Sequence, residues 1–135
     1  ANKIIALWPN AVNQGIIAGN RMAGGELISN GAYSVNAIDF YGLRICTCGL
    51  INAKGEQYSD KIKTEGNAYK RLVFEGSRLV GFVLINSSDN AGIYTNLIAN
   101  KIDISTLVGD IMDTPSLFMF DKDTRTAKLT GGMEL

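Results

Sequence analysis

The sequence has no histidine, and only two cysteines, two prolines and one tryptophan among 135 residues. Without histidine it lacks the commonest general base, the commonest zinc ligand and any Ser-His or Cys-His nucleophile pair. Two cysteines do not complete a zinc site, and self-contained hydrolytic chemistry is not expected. Thirteen basic residues balance thirteen acidic ones, so no net field draws nucleic acid or an anionic membrane. No apolar run approaches the ~18–20 residues that span a bilayer. No signal-peptide pattern opens the chain, and a cytoplasmic location is the expectation. The Gly-x-Gly-x-x-Gly dinucleotide fingerprint is absent, and Asp121-Lys122-Asp123 lacks the spacing of a calcium loop.

What is there reads as one domain with a real core, or a small domain carrying terminal segments, at 46% hydrophobic and 19% charged residues. Trp8 to Met22 predicts a helix, with Pro9 at its first turn and Ala11, Gly15, Ala18 and Met22 on one face. Gly15 and Gly19 would let another backbone approach, and Gly24-Gly25 stops the helix. Strand patterns follow over Val35 to Phe40, Leu43 to Ile51 and, more weakly, Gln57 to Thr64. Tyr69 to Glu75 and Arg78 to Ile85, joined by Gly76-Ser77, predict a β-hairpin. Ser88 or Asp89 could cap a helix whose stripe is Ile93, Tyr94, Leu97 and Ile98. A second short helix is expected after Ser105, with Leu107, Val108, Ile111 and Met112 inward and Pro115 ending the region. Leu117 to Phe120 form an apolar knot, read as a strand or docked arm. The order predicts an α+β fold: a small, mostly antiparallel sheet with helices packed on one side, preceded by an N-terminal helix.

Three groups could carry chemistry. The helix start at Trp8, Pro9, Asn10 and Ala11 presents N–H groups and a partial positive charge, and Trp8 could lie against a planar ligand. Most helix starts bind nothing, so an ordinary amphipathic helix is the bland alternative. Cys46 and Cys48 share a strand face, but their Cα atoms would lie at about 6.5–7 Å, the limit for an unstrained disulfide. Core packing therefore explains them better than redox chemistry. Asp60-Lys61-Ile62-Lys63 and Lys70-Arg71 read as solvated faces, with docking of an acidic electron carrier as the sharper alternative.

The pattern Trp8-Pro9-x-Ala11-x-x-Gln14-Gly15-x-x-Ala18-x-Asn20, followed by Ala23 and Gly24, resembles the last flavin-contacting helix of the pyridine nucleotide–disulfide oxidoreductase superfamily. The nearest branch is that of rubredoxin–NAD reductase, NADH oxidase and the nitrite reductase flavoprotein. Gly42 to Gly49 resembles the family's early C-terminal strand. Tyr69 to Phe74 with Arg78 to Ile85 resembles its hairpin ending in Leu-Val-Gly-x-x-Leu, and the helix near Ile93 to Ile98 completes the order. The likeness covers about residues 4–112.

The resemblance implies that Trp8, Pro9, Asn10 and Ala11 meet the pyrimidine end of FAD through main-chain groups and the helix dipole, with no catalytic residue among them. It implies a division into residues 1–26 (a remnant helix of the flavin domain), 27–114 (a C-terminal interface or dimerisation domain) and 115–135 (an extension of unassigned structure). The parent enzyme would use FAD and NAD(P)H. The pyrophosphate and adenosine contacts would lie in FAD and NAD(P) domains missing from this sequence, so the fragment is expected to be inactive and to hold no flavin tightly. Expected partners are those missing domains, a second copy in a homo-oligomer and a redox carrier protein. The competing reading is a stand-alone binding or oligomerisation module without redox activity, and a small-ligand-binding protein using the Trp8 helix end differently is a third.

Overall fold

A computed structural model describes residues 6–28, 31, 34–105 and 109–118. Helix α1 spans Trp8–Met22, the expected range. Proline sits in its first turn, and Leu7 at the N-cap is extended, at φ −123 and ψ 139. At the other end Gly24 has φ 80. The Gly25 N–H donates to the Asn20 carbonyl at 2.8 Å and the Gly24 N–H to Arg21 at 3.1 Å, so the left-handed glycine satisfies the last helical carbonyls. No residue of α1 is buried. An added Cβ at Gly15 or Gly19 would meet nothing within 4 Å, so among the described residues no backbone uses the approach those glycines permit.

Five strands follow: β1 (Val35–Phe40), β2 (Leu43–Gly49), β3 (Tyr58–Glu65), β4 (Ala68–Glu75) and β5 (Arg78–Ile85). They form one sheet in the order β1-β2-β5-β4-β3, and every pair is antiparallel. Glycine chemistry closes the hairpins. Tyr41 and Gly42 both have positive φ, 52 and 82, the requirement of a type I′ turn. At the turn from β4 to β5 Gly76 supplies φ 57 where the Gly-Ser pair predicts it. β2 ends at Gly49, two residues short of the expected Ile51, because Gly49 also turns left-handed at φ 69.

A 3-10 turn over Ser88–Asn90 leads into helix α2, Ala91–Ala99. Neither Ser88 nor Asp89 caps it as expected. Asn90 is the N-cap and makes no side-chain cap bond, because the preceding tight turn already places the chain on the helical path. Tyr94, Leu97 and Ile98 of α2 are buried against Cys46, Cys48, Leu72, Phe74, Phe82 and Leu84 of the sheet. These sheet residues alternate along β2, β4 and β5, so one face is the core and the other is left without a helix.

The helix expected after Ser105 is not seen over residues 109–114, which form a turn; Leu107 and Val108 lie outside the described residues. The cap expected of Ser105 would fall on residues outside the described ones; its own N–H and hydroxyl both donate to Asp103 Oδ1, at 2.9 and 2.7 Å. Ile111 and Met112 are nevertheless in the core. Asp110 explains the difference: its carboxylate accepts the Met112 N–H at 2.9 Å, a local side-chain bond that competes with a continuing helix. Pro115–Phe118 is a short 3-10 turn, and the rest of the apolar knot, Met119 and Phe120, lies outside the described residues.

Two bonds from the sheet fasten this turn. Lys63 Nζ pairs with the Asp113 carboxylate and with Glu65, and Lys70 Nζ donates to the Met112 carbonyl at 2.6 Å. The hydrogen bond from Lys63 holds the Asp113 carboxyl below its ordinary range and, with Glu65, holds the ammonium up. The carboxylate's contribution is therefore present above the ordinary carboxylate range, about pH 4, and is lost as the pH falls through the lowered value. Acid unfolding followed by circular dichroism is expected to lose stability in that window, and Asp113→Asn to flatten the profile there; an unchanged profile would contradict the role of the pair.

Gly81 and Gly49 face each other across β5 and β2. A Cβ on Gly81 would sit 2.3 Å from the Leu50 carbonyl oxygen, and one on Gly49 would sit 2.2 Å from that of Val80. Both obstacles are backbone, so neither can rotate away. Gly81→Ala is expected to destabilise by about 1–3 kcal/mol in urea melts, whereas alanine at Gly92, where nothing lies within 4 Å, should not.

Candidate cofactor edge and protein interface

The four residues singled out at the start of α1 form its first turn. Trp8 is 81% exposed, Pro9 and Ala11 are exposed, and Asn10 is half-buried. Leu7 cannot accept a hydrogen bond through its side chain, so no side-chain cap occupies the helix start, and no acidic residue offsets the dipole there. The Ala11 N–H is already used, donating to the Leu7 carbonyl at 3.1 Å, and Pro9 has none to give. What remains is a positive helix end beside an exposed indole. That combination can support partial negative charge and lie along a planar ring.

Val12 and Ile16 continue from Trp8 at intervals of four and are 45% and 57% exposed. They make an uncovered apolar stripe. The C-terminal end of the same helix is braced instead. Asn20 Oδ1 accepts the Leu27 N–H at 3.0 Å, and Arg21 Nε donates to the Leu27 carbonyl at 3.2 Å. No periodicity points to this bracing, which joins Asn20, near the helix end, to Leu27 seven residues on.

The second uncovered surface is the sheet face opposite α2. Ile38 and Phe40 of β1, Leu43 of β2 and Ile62 of β3 lie on it and are 40–62% exposed. Arg71 Nε and Nη2 both reach Asp60 Oδ2 there, at 2.8 and 2.5 Å, joining β4 to β3. Asn86, just past β5, holds φ 50. Its amide accepts the Arg44 N–H at 3.1 Å and donates to the Asn67 carbonyl at 3.1 Å, tying β2 to the turn between β3 and β4. So the charge clusters around Asp60 and Lys70 have partners within the fold: Asp60 binds Arg71, and Lys63 and Lys70 hold the turn over 110–114.

Cys46 and Cys48 are free and buried, at 8% and 0% exposure, on the core face. Burial raises the Cys46 thiol and pushes Cys48 up to about 11, with Thr95 acting against the shift and Cys46 adding to it. Both are thus poor nucleophiles near neutral pH. A raised thiol adds nothing below its unfolded value and destabilises the fold above it, because only the unfolded chain then ionises. Stability is expected to fall from about pH 9 to 11, and an aromatic disulfide reagent at pH 8 should label both thiols only as the protein unfolds. Fast labelling of the native protein would show an accessible thiolate and contradict their packing role.

Among the described residues no group of three or more His, Cys, Asp or Glu could hold a metal ion. No helix among them is long and apolar enough to cross a membrane.

The described residues thus join an exposed helix start to an antiparallel sheet with a helix on one face. The chain is 30% identical over 94 residues to pyridine nucleotide-disulfide oxidoreductase domain-containing protein 1 of Dictyostelium discoideum, covering 58% of this chain and 17% of that protein. The mouse protein of the same name is 28% identical over 116 residues, covering 79% and 23%, and the zebrafish protein 31% over 85 residues, covering 61% and 17%. The chain thus spans less than a quarter of the length of these curated relatives. Residues 35–102, the five strands and α2, match the family described as the rubredoxin NAD+ reductase C-terminal domain. The chain belongs to that family.

Proposed function

We propose that this chain serves as the C-terminal interface domain of an FAD-dependent NAD(P)H oxidoreductase, with the first turn of α1 at the flavin edge and the open sheet face toward a subunit or partner. The observation that carries the reading is an uncapped helix start with an exposed tryptophan, attached to a sheet of the NAD+ reductase C-terminal family. Trp8, Pro9, Asn10 and Ala11 fit one edge of a flavin: the helix end favours negative charge on the pyrimidine side, and the indole offers a flat wall. The sequence has no Gly-x-Gly-x-x-Gly to cradle a pyrophosphate. The group supplies hydride and electron transfer when bound; this domain's share is to orient its edge, bias its charge and exclude water. Docking of a redox carrier protein and a cytoplasmic setting accompany this reading. The uncovered apolar stripe of α1 also suits a second reading, a stand-alone binding module that covers the stripe with another protein.

Trp8 is the only tryptophan, so its emission reports the proposed edge directly. FAD added to the 135-residue chain is expected to bind more weakly than about 0.1 mM and to be lost on gel filtration. Mixing the chain with FAD-loaded nucleotide-binding domains of a relative should bury and quench Trp8, and Trp8→Ala should weaken the association. Retention of flavin by the chain alone would overturn the expected dependence on other domains. A Trp8 signal unchanged by those domains would overturn the flavin-edge reading in favour of the stand-alone module.

A further inference from the structure

The two edges of the sheet differ in charge. β3, at one edge, has Asp60, Lys61, Lys63 and Glu65 among its eight residues; β1, at the other, has Asp39 alone among six. Pairing β3 with a copy of itself about Ile62 would set Lys61 directly opposite Lys63, a like-charge contact that disfavours association. β1 carries no such protection.

The hydrogen-bond phase of β1 is fixed by its partner. The Gly49 N–H donates to the Ser34 carbonyl at 3.1 Å, and Val35 lies opposite Cys48. Antiparallel bonding alternates, so Ser34, Asn36, Ile38 and Phe40 exchange bonds with β2. The Asn86 N–H donating to the Arg44 carbonyl at 2.8 Å gives the complementary phase on the far side of β2. The amides and carbonyls of Val35, Ala37 and Asp39 therefore point outward.

We propose that the outer edge of β1 pairs antiparallel with β1 of a second copy of this chain, about a two-fold axis at Ala37. This axis places Ala37 opposite Ala37 and Val35 opposite Asp39, so every outward backbone group of the strand finds a partner. Asn36 then lies opposite Ile38 on the open face. The two Asp39 carboxylates end about 14 Å apart, each opposite the apolar Val35, so the strand's one charge meets no like charge. An axis at Ile38 would use only Ala37 and Asp39 for bonding and bring the two aspartates to about 8 Å. The chain's zero formal net charge adds no long-range repulsion between copies. The pairing goes beyond the reading above, which places a partner on the open sheet face, because it concerns the sheet edge alone. Flavin retention and oligomeric state are separate measurements, so either reading can fail without the other.

Sedimentation velocity of the 135-residue chain from about 1 µM to 1 mM is expected to show a monomer becoming a dimer. Ala37→Pro removes an N–H that points away from β2, which leaves the strand's own ladder intact. This variant should stay monomeric over the whole range with an unchanged circular dichroism spectrum. For the register, Asn36→Cys and Ile38→Cys chains mixed under oxidising conditions should cross-link to each other, and neither should cross-link well alone. The native cysteines are buried and do not interfere. A wild-type chain that remains monomeric throughout overturns the proposal. So does a folded Ala37→Pro chain that dimerises as before, or an Ile38→Cys chain that links preferentially to itself.

Discussion

Tyr94 is completely buried, its ring centroid 5.7 Å from that of Phe82 and its hydroxyl donating to the Ile111 carbonyl at 3.0 Å, so one side chain joins helix, sheet and the turn over residues 110–114. Its polar atom finds its partner inside the core, and no side-chain polar atom among the described residues is buried without one. Burial removes the ring from water and raises its hydroxyl to about 12. Lys70 sits 5.8 Å over the same ring while its ammonium holds the Met112 carbonyl. The other features follow from this junction. One nine-residue helix can cover only one face of a five-stranded sheet, so on the opposite face Ile38, Phe40, Leu43 and Ile62 stay exposed.

The parts of the fold set by local chemistry were legible in the sequence. Helix α1 announces both its ends, through Pro9 and through Gly24-Gly25, and the Gly76-Ser77 pair announces its hairpin. Strand alternation placed Cys46 and Cys48 on one face and made their burial the simpler reading. What escaped depends on groups distant in sequence or on competition within a short segment. Asn86 joins β2 to a turn nineteen residues before it, which no periodicity reveals. Ile111 and Met112 carry helical spacing, yet Asp110 folds the segment into a turn. The sequence supplied the burial of those two residues and not the backbone that buries them.

The candidate site divides in the same way. The helix start was readable because proline and the following residues fix it locally. That α1 buries none of its residues was not, since its stripe of Trp8, Val12 and Ile16 looks in sequence like any core-facing stripe. The sheet and α2 are the part that matches the family, while among the described residues the apolar stripe of α1 is left exposed.

The charge on β3 has a consequence for how large an assembly of these sheets could grow. A sheet with two bare edges adds neighbours without limit and becomes a fibre. In the proposed pairing one edge, β1, is used, and the other carries Asp60, Lys61 and Lys63. Joining two β1 edges by a two-fold axis leaves only charged strands on the outside, so the symmetry closes on itself. Growth by strand addition then stops at two.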